Sequence, residues 1–179
     1  MSHIMLDLET LDTRPSALIV ALGAVKFDPN GSGVLQTFYR VPNDWGDQAR
    51  HGRTLNPDTV AWWLKQSDAA RNALTSPPES DSTSTAQMLN DFVEFCEGSD
   101  VKMWGNGADF DCTLLGSLYA DYGIKKPWTY SNNRCFRTMK NLGLGAQKPA
   151  RVGVHHNALD DATTQALHLQ EIFKCLRSR

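Results

Sequence analysis

The sequence predicts an α/β domain in which a central mixed sheet of five or six strands is flanked by helices. Three observations favour this fold class. Apolar segments typical of strands come first along the chain, and segments with helical spacing then alternate with a further strand. The length of 179 residues suits one domain, which we expect to span residues 1–179. Hydrophobic residues make up 41% of the chain, which is enough for a normal globular core.

Strand signals dominate the first quarter of the chain. Residues 4–8 form a short apolar run that only Asp7 interrupts, as is typical of a buried strand. Residues 17–27 are rich in strand-forming residues and end at a turn signal. We therefore predict that residues 34–41 form the hairpin partner of this strand, and that residues 42–53 form a loop.

The first predicted helix begins at Asn56-Pro57, because asparagine is a favourable N-cap and proline a favourable first helical residue. Residues 75–85 are rich in Ser, Thr and Pro, which predicts a surface connection. A second helix is predicted from the apolar spacing of residues 88–96, with Gly98 as its C-terminal cap.

A short strand over residues 101–104 precedes the last two predicted helices. The first of these covers residues 114–122 and is stopped by Gly123. The second covers residues 159–176, where apolar residues keep a three-four spacing to the end. This closing helix is expected to pack on the sheet.

The composition favours a cytoplasmic protein that does not contact a membrane. No apolar run approaches the ~20 residues that a membrane-spanning helix needs, and the first residues lack the basic and apolar segments of a targeting peptide. Four cysteines are widely spaced and lack the paired spacing of a metal site. We interpret them as reduced thiols, as is usual in the cytosol.

Charge is unevenly distributed along the chain, although the formal net charge is only −2. Residues 72–101 carry acidic residues but no Lys or Arg, and residues 122–159 show the reverse. The basic residues of the second segment are Lys125, Lys126, Arg134, Arg137, Lys140, Lys148 and Arg151. This segment either lines the path of a phosphate backbone or forms a solvated loop, and the sequence favours neither alternative.

Asp7 and Glu9 lie two residues apart on the first predicted strand. Because strand side chains alternate between faces, both carboxylates should point the same way and Leu8 should point into the opposite layer. Two buried acids side by side repel each other and are costly to desolvate. A bound cation removes both problems, so this pattern predicts a metal site.

A second acidic segment follows the strand at residues 101–104. Gly105-Asn106-Gly107 allows the backbone to turn tightly at the end of this strand. Either Asp109 or Asp111 could then reach the carboxyl edge of the sheet, where sites in α/β proteins usually lie. Spacing alone does not separate these two acids, and each could instead be an N-cap.

The third segment pairs a histidine with an acid at the start of the last helix. His156 and Asp161 are five residues apart, and His155 and Asp160 have the same spacing. The buried stripe of the helix borders Asp161, which favours the first pair. Together with the carboxylates, His156 has the chemistry of a general base that takes a proton from an attacking water.

The three segments resemble the three sequence motifs of the DEDDh exonuclease superfamily, whose fold is ribonuclease H-like. The resemblance spans nearly the whole chain, and the motifs come in the family's order. It favours Asp111 over Asp109, because the family's acid directly follows a phenylalanine. The matching positions are Asp7, Glu9, Asn106, Ala108, Phe110, Asp111, His156, Asp161 and Ala162. Trp62-Trp63 and the glycine-rich turn are similar to phage and prophage exonucleases and to the ribonuclease T-like group.

The resemblance implies a two-metal hydrolase. Two Mg²⁺ or Mn²⁺ ions would be held by four carboxylates, and His156 would accept the proton of the attacking water. The metal ligands would be Asp7, Glu9, Asp111 and Asp161. Residues expected to contact the substrate are Thr10, Leu11, Trp62, Trp63, Asn106 and Arg137. At most one of the two tryptophans should stack on a base, because adjacent helix positions diverge, and both could instead be packing anchors.

We therefore predict a 3′→5′ exonuclease that converts single-stranded RNA or DNA with a free 3′ end into nucleoside 5′-monophosphates. One alternative is an oligoribonuclease-like enzyme restricted to short RNA ends. Another is a metal-binding nucleic-acid module without catalysis, which the presence of all five site residues disfavours. Relatives often form homodimers, so a homodimer is a further expectation.

Overall fold

The computed structural model describes residues 2–98, 100–107, 109–142 and 144–178. Six strands and seven α-helices occur in this part of the chain. The strands are β1 (Ser2–Thr10), β2 (Ile19–Phe27), β3 (Gln36–Pro42), β4 (Ser82–Thr83), β5 (Val101–Gly105) and β6 (Asn133–Cys135). The helices are α1 (Trp45–Arg50), α2 (Pro57–Trp63), α3 (Asp68–Thr75), α4 (Thr85–Cys96), α5 (Asp111–Asp121), α6 (Phe136–Asn141) and α7 (Ala158–Arg177).

The strands form one mixed sheet in the order β4-β3-β2-β1-β5-β6. β1, β2 and β3 are antiparallel neighbours, and β5 and β6 continue the sheet parallel to β1. The predicted fold class and the predicted hairpin of β2 and β3 are confirmed. β1 is longer than β5 and pairs with it only over Ser2–Met5, so the two strands separate toward the carboxyl end of β1. This opening between two parallel strands is where the acidic residues gather.

The two faces of β1 belong to different layers. Ile4, Leu6 and Leu8 pack into a cluster with α4 and α5, as predicted for Leu8. Met5 packs with Ala162 of α7 in a second cluster on the other face. Because side chains alternate along a strand, Asp7 and Glu9 share the face of Met5 and therefore point toward α7.

Helix α7 approaches the sheet unusually closely at its first turn. A Cβ atom on Gly23 of β2 would lie 2.2 Å from the backbone carbon of Ala158. The buried side of the helix carries only small residues at its start, since Ala158, Ala162 and Ala166 are all fully buried. The missing side chain at Gly23 and these alanines let the helix bring its polar residues against β1.

Several short elements were not predicted. The predicted loop at residues 42–53 contains α1, which Gln48 ties to β2 by hydrogen bonds to both backbone groups of Ile19. This long-range contact leaves no periodic signal in the sequence. β4 lies within the predicted connection at residues 75–85, and α3, β6 and α6 were also missed. They are at most eight residues long, which is too short for a clear apolar period.

Two helix ends differ slightly from prediction. α4 ends at Cys96, and its cap is Glu97, whose backbone is left-handed with φ of 51°, one residue before the predicted cap Gly98. α7 begins at Ala158, where Asn157 caps the helix by accepting hydrogen bonds from the backbone of Leu159 and Asp160. The predicted start at residue 159 is therefore correct to within one residue.

Within residues 2–98, 100–107, 109–142 and 144–178, no helix combines the length and the apolar character needed to cross a membrane. The four cysteines are free thiols, and Cys96 and Cys112 are buried.

Candidate active site

The first pair of acids lies on the central strand of the sheet. Asp7 is partly buried and Glu9 is buried, and both face the start of α7. The pairing between β1 and β2 is irregular between Glu9 and Thr10. Such bulges redirect the strand and its side chains next to functional sites. The strand end thus presents two carboxylates into the opening between β1 and β5.

Asp111 enters the same opening from the first turn of α5. Its carboxylate accepts hydrogen bonds from the backbone N–H groups of Leu8 (3.2 Å) and Asn106 (2.9 Å). Gly105 makes this approach possible, because a Cβ there would lie 2.9 Å from an oxygen of Asp111. Asp111 is only 3% exposed, whereas Asp109 is exposed. The structure therefore brings Asp111, and not Asp109, to the first pair of acids. Ala108 of the same motif lies outside the described residues.

Asp161 joins the cluster from the first turn of α7. One ligand oxygen from each of Asp7, Glu9 and Asp161 lies within 4.8 Å of the other two. Asp161 also accepts a hydrogen bond from the backbone N–H of His156 (3.0 Å) and forms an ion pair with Arg151. These contacts hold the loop before α7 against the acidic cluster.

The competing pair, His155 with Asp160, is arranged differently. Asp160 accepts a hydrogen bond from the backbone N–H of Val154 (2.7 Å) and so stabilises the loop. His155 is exposed, and its ring centroid lies 3.8 Å from that of His156. The structure thus brings Asp161, and not Asp160, to the cluster, whereas ring nitrogens of both His155 and His156 lie within 4.8 Å of an oxygen of Asp161.

Gln165 is a residue of the site that the sequence did not reveal. It lies one turn after Asp161 on α7, so both side chains project from the same side of the helix. Its Nε2 donates a hydrogen bond to Asp7 (2.8 Å), and its Oε1 is buried without a partner among the described residues. Gln165 fixes the orientation of the Asp7 carboxylate. Glutamine is common in helices, and no spacing rule connects residue 165 with residue 7.

The buried carboxylates raise one another's pKa. Burial, together with the charges of Asp111, Glu9 and Asp161, raises the pKa of Asp7 well above its usual value. Burial and the charges of Asp161 and Asp111 raise the pKa of Glu9 to about 8. Burial raises the pKa of Asp111 to about 6, although its backbone hydrogen bonds act in the opposite direction. A cluster of this kind is stabilised by positive charge.

This donor set fits hard divalent cations. All the converging ligand atoms are carboxylate oxygens, which Mg²⁺ and Mn²⁺ prefer. A bound cation would also offset the repulsion that raises the pKa values of Asp7 and Glu9. Arg151, paired with Asp161, is a positive charge that the chain itself supplies there.

His156 lies at the edge of the cluster in a left-handed backbone conformation, with φ of 65°. Its ring meets Trp62 edge-on, with ring centroids 4.8 Å apart. Burial is the main cause that lowers its pKa below the usual value for histidine. The lowered pKa favours the neutral imidazole, which is the state that a proton acceptor requires.

The two tryptophans of α2 have different environments. Trp63 is 6% exposed and donates a hydrogen bond from Nε1 to the backbone carbonyl of Thr10 (2.9 Å). Trp62 is 42% exposed. The buried ring anchors α2 to the end of β1, and only the ring of Trp62 offers an open surface to a base.

Two adjacent cavities meet at Glu9. The first, of about 480 Å³, contains the acidic cluster and is also lined by Asn106 and Arg137. The second, of about 410 Å³, is lined by Thr10, Trp62 and Trp63. Leu11 packs beside a buried apolar cluster and is in neither of these two linings. The expected substrate residues other than Leu11 thus line one or the other of two cavities that share Glu9 in their linings.

Basic side chains form one side of the first cavity. Four of the seven predicted residues line it, namely Arg137, Lys140, Lys148 and Arg151. Arg134 instead donates hydrogen bonds to the backbone carbonyls of Ser131 and Asn133 (both 2.9 Å). The cavity therefore has acidic residues on one side and basic residues on another. We call these four basic residues the basic wall.

The raised pKa values predict how the metal-free protein responds to pH. A carboxyl whose pKa is higher in the folded state stabilises the fold while it is protonated, and this contribution is lost as pH rises. The stability contribution of Glu9 should be lost as pH rises from near 4.5, its usual pKa, to about 8, its pKa in the folded protein. In EDTA, we expect wild type to lose on the order of 4 kcal/mol relative to Glu9→Gln between pH 5 and pH 8.5. Denaturant unfolding at both pH values measures this difference, and an unchanged difference would contradict the pKa assignment.

A family model described as the 3′-5′ exoribonuclease Rv2179c-like domain matches residues 2–173. The chain belongs to this family. The predicted resemblance to a family of 3′→5′ exonucleases is thus confirmed. An exodeoxyribonuclease of Enterobacteria phage T4 is 26% identical over 133 residues, which cover 68% of the chain. The chain spans 57% of the length of that phage protein.

Solved structures share the fold at low sequence identity. The nuclease domain of 3′hExo, described as a DEDDh family member bound to rAMP, has a TM-score of 0.63 and 13% identity. The match covers 99% of this chain and 92% of that one. E. coli ExoI in a zinc-bound complex with single-stranded DNA has a TM-score of 0.62 and 14% identity, with 99% and 41% covered. These neighbours confirm the ribonuclease H-like fold.

Proposed function

We propose that the chain is a metal-dependent 3′→5′ exonuclease that releases nucleoside 5′-monophosphates from single-stranded RNA or DNA. One observation carries the proposal: oxygens of Asp7, Glu9 and Asp161 lie within 4.8 Å of one another, beside His156. Three carboxylates from two separate elements meet at this point, with the buried Asp111 beside them. Such a cluster is costly in a stable protein unless cations occupy it.

Asp7, Glu9, Asp111 and Asp161 would hold two Mg²⁺ or Mn²⁺ ions. When bound, these ions would supply a water of lowered pKa and neutralise charge on the phosphate. Gln165 keeps the Asp7 carboxylate turned toward the cluster through its hydrogen bond. The raised pKa of Glu9 and the oxygen-only donor set support this assignment.

His156 would accept the proton of the attacking water. The ring packs edge-on against Trp62, and burial lowers its pKa and so favours the neutral form. Its backbone N–H is bonded to Asp161, so the base and one metal ligand are fixed to each other. After proton transfer, the positive imidazolium lies beside this carboxylate, which stabilises the charged form.

The second cavity would receive the terminal nucleotide. The half-exposed ring of Trp62 offers a surface on which a base can stack, and Thr10 lines the same space. The structure of E. coli ExoI with single-stranded DNA supports a single-stranded substrate for the fold, and that of 3′hExo with rAMP supports binding of a nucleotide. A double helix would have to open before its terminal base could enter a cavity of about 410 Å³.

The decisive experiment is a time course on RNA and DNA oligomers labelled at either end, with Mg²⁺ or Mn²⁺. We expect a 5′-labelled strand to shorten stepwise, whereas a 3′-labelled strand should release its label as a mononucleotide at once. A 3′-phosphate should slow the reaction and a circular strand should resist it. Rapid cutting of circles would make the protein an endonuclease, and activity in EDTA would exclude the metal.

The basic wall would guide the phosphate backbone. Replacing Arg137 and Lys148 together with glutamine should weaken binding to all sequences alike, because phosphate contacts carry no base information. The slope of log affinity against log salt should fall by roughly 1.4 for the two lost contacts on a single strand. Fluorescence anisotropy at several salt concentrations measures the slope. Arg134→Gln, outside the cavity, is the matched control, and an equal effect there would refute the assignment.

The two acids of the second motif should behave differently when replaced. Asp111→Asn should lose activity and also stability by about 1–3 kcal/mol, because its amide nitrogen cannot accept the second backbone hydrogen bond. Asp109→Asn should retain most activity, since Asp109 is exposed. Hydrolysis rates and thermal unfolding of both variants test this, and the reverse order would overturn the assignment of Asp111.

We also propose that residues 1–179 act as one nuclease domain in the cytoplasm, as a monomer or a homodimer. One continuous sheet and the reduced thiols support these statements. Light scattering of the purified chain would settle the oligomeric state.

A further inference from the structure

Beside the oxygen cluster lies a second group of possible ligands with a different chemistry. One ring nitrogen from each of His155 and His156 and one oxygen of Asp161 lie within 4.8 Å of one another. Only Asp161 is common to both groups. His155 has no part in the proposed hydrolysis, and its ring forms no hydrogen bond within the described residues.

The backbone explains how two consecutive histidines reach one point. In extended chain, neighbouring side chains point to opposite sides. Here His156 is left-handed, with φ of 65°, and the two ring centroids lie only 3.8 Å apart with an interplanar angle of 32°. The hydrogen bond from the His156 backbone to Asp161 keeps the carboxylate next to both rings.

We propose that His155, His156 and Asp161 form a separate site for a borderline divalent metal such as Zn²⁺, and that occupation of this site switches the nuclease off. Imidazole nitrogens favour Zn²⁺, Co²⁺, Ni²⁺ and Cu²⁺, whereas an oxygen-only group favours Mg²⁺ and Mn²⁺. Three protein ligands with a remaining open position are a common zinc arrangement. The two ligand groups therefore select different metals although they are neighbours.

Inhibition would follow directly from the shared residues. A metal on His156 occupies the lone pair that would otherwise accept the proton of the attacking water. The same metal draws the Asp161 carboxylate away from Asp7 and Glu9, with which it would hold Mg²⁺. This inhibitory effect rests on the proposed function, whereas metal binding to the three side chains does not.

Metal binding is tested first, without any nuclease assay. Zn²⁺ is titrated calorimetrically into wild type, His155→Ala and Asp7→Asn, and Co²⁺ absorption in the visible range reports on nitrogen ligands. His51→Ala is the control for an exposed histidine far from the site, bonded instead to the Asp121 carbonyl. Even the loss of a group that only orients a ligand costs about 10–100-fold in metal affinity, so His155→Ala should weaken Zn²⁺ binding at least tenfold. Asp7→Asn and His51→Ala should still bind.

The opposite pattern would overturn the proposal. If Asp7→Asn lost Zn²⁺ and His155→Ala kept it, the metal would belong to the oxygen cluster. Thermal unfolding of each variant shows that the fold is retained, and His155→Gln serves as a second replacement if the alanine variant unfolds.

Inhibition is tested second, in Mg²⁺-supported hydrolysis with increasing Zn²⁺. Each variant is compared with its own rate before Zn²⁺ is added. The Zn²⁺ concentration for half-inhibition should rise at least tenfold in His155→Ala and stay unchanged in His51→Ala. Equal inhibition of wild type and His155→Ala would refute the switch. If the proposed function failed, no hydrolysis would be seen with Mg²⁺ alone, and the calorimetric result would still decide the metal site.

Discussion

Replacement of Asp7 with asparagine is expected to abolish hydrolysis, with a loss of at least about a thousandfold, because metal coordination contributes several kcal/mol to the transition state. The amide oxygen can still accept the hydrogen bond from Gln165, so the local packing is preserved. The metal-free variant should unfold at a higher temperature than wild type, since one of several repelling charges is removed.

Two measurements separate this explanation from simple misfolding. Thermal unfolding with and without Mg²⁺ should show that the ion stabilises wild type and has little effect on Asp7→Asn. Asp109→Asn is the matched control, because it removes an exposed acid of the neighbouring loop. A variant that still gained full stability from Mg²⁺ would show that Asp7 is not a ligand.

Loss of the His156 imidazole should lower the rate by about 10²–10⁴-fold, the usual contribution of a general base. The left-handed backbone at this position strains most residues, but asparagine tolerates it better than alanine does. We therefore expect His156→Asn to fold normally and to lose activity as severely as His156→Ala. Mg²⁺ should stabilise the asparagine variant as it does wild type.

His155→Ala is the matched control for this prediction and should retain most of the Mg²⁺-supported activity. The pH profile of the rate adds a second readout. In wild type, the rate should fall at low pH as His156 is protonated, and this fall should be absent from the residual activity of the His156 variants. Exchanged phenotypes of the two histidine variants would mean that the register of the third motif is wrong by one residue.

The sequence predicted the architecture where the physical signal is local. β1, β2 and α7 have clear strand or helical patterns, and the pairing of Asp7 with Glu9 on one face follows from strand geometry alone. The order of the three motifs then led to the family that the comparison confirmed. Residue spacing did not decide between Asp109 and Asp111, or between His155 and His156. Both choices depend on the direction in which turns orient the side chains. The structure brings Asp111 and Asp161 to Asp7 and Glu9, and their roles await the variants.

The features that could not be predicted all depend on contacts between distant residues. Gln48 binds the backbone of Ile19, Gln165 binds Asp7, and Arg151 pairs with Asp161 across a loop. None of these residues belongs to a periodic pattern, and each has an ordinary alternative as an exposed polar side chain. The short helices α1, α3 and α6 were missed for a related reason, because they are too short for an apolar period.

The closeness of α7 to β2 makes the proposed site sensitive to a position that carries no functional group. At Gly23, one added methyl would collide with the first residue of the helix that carries Asp161 and Gln165. The collision could be relieved only by moving the whole helix start outward, and Asp161 would then no longer lie within 4.8 Å of Asp7 and Glu9. A screen for inactive variants should therefore yield substitutions of Gly23, in which all four carboxylates of the proposed site are unchanged. Designs that graft this acidic cluster onto another sheet would have to reproduce the absence of a side chain at that position as faithfully as the ligands themselves.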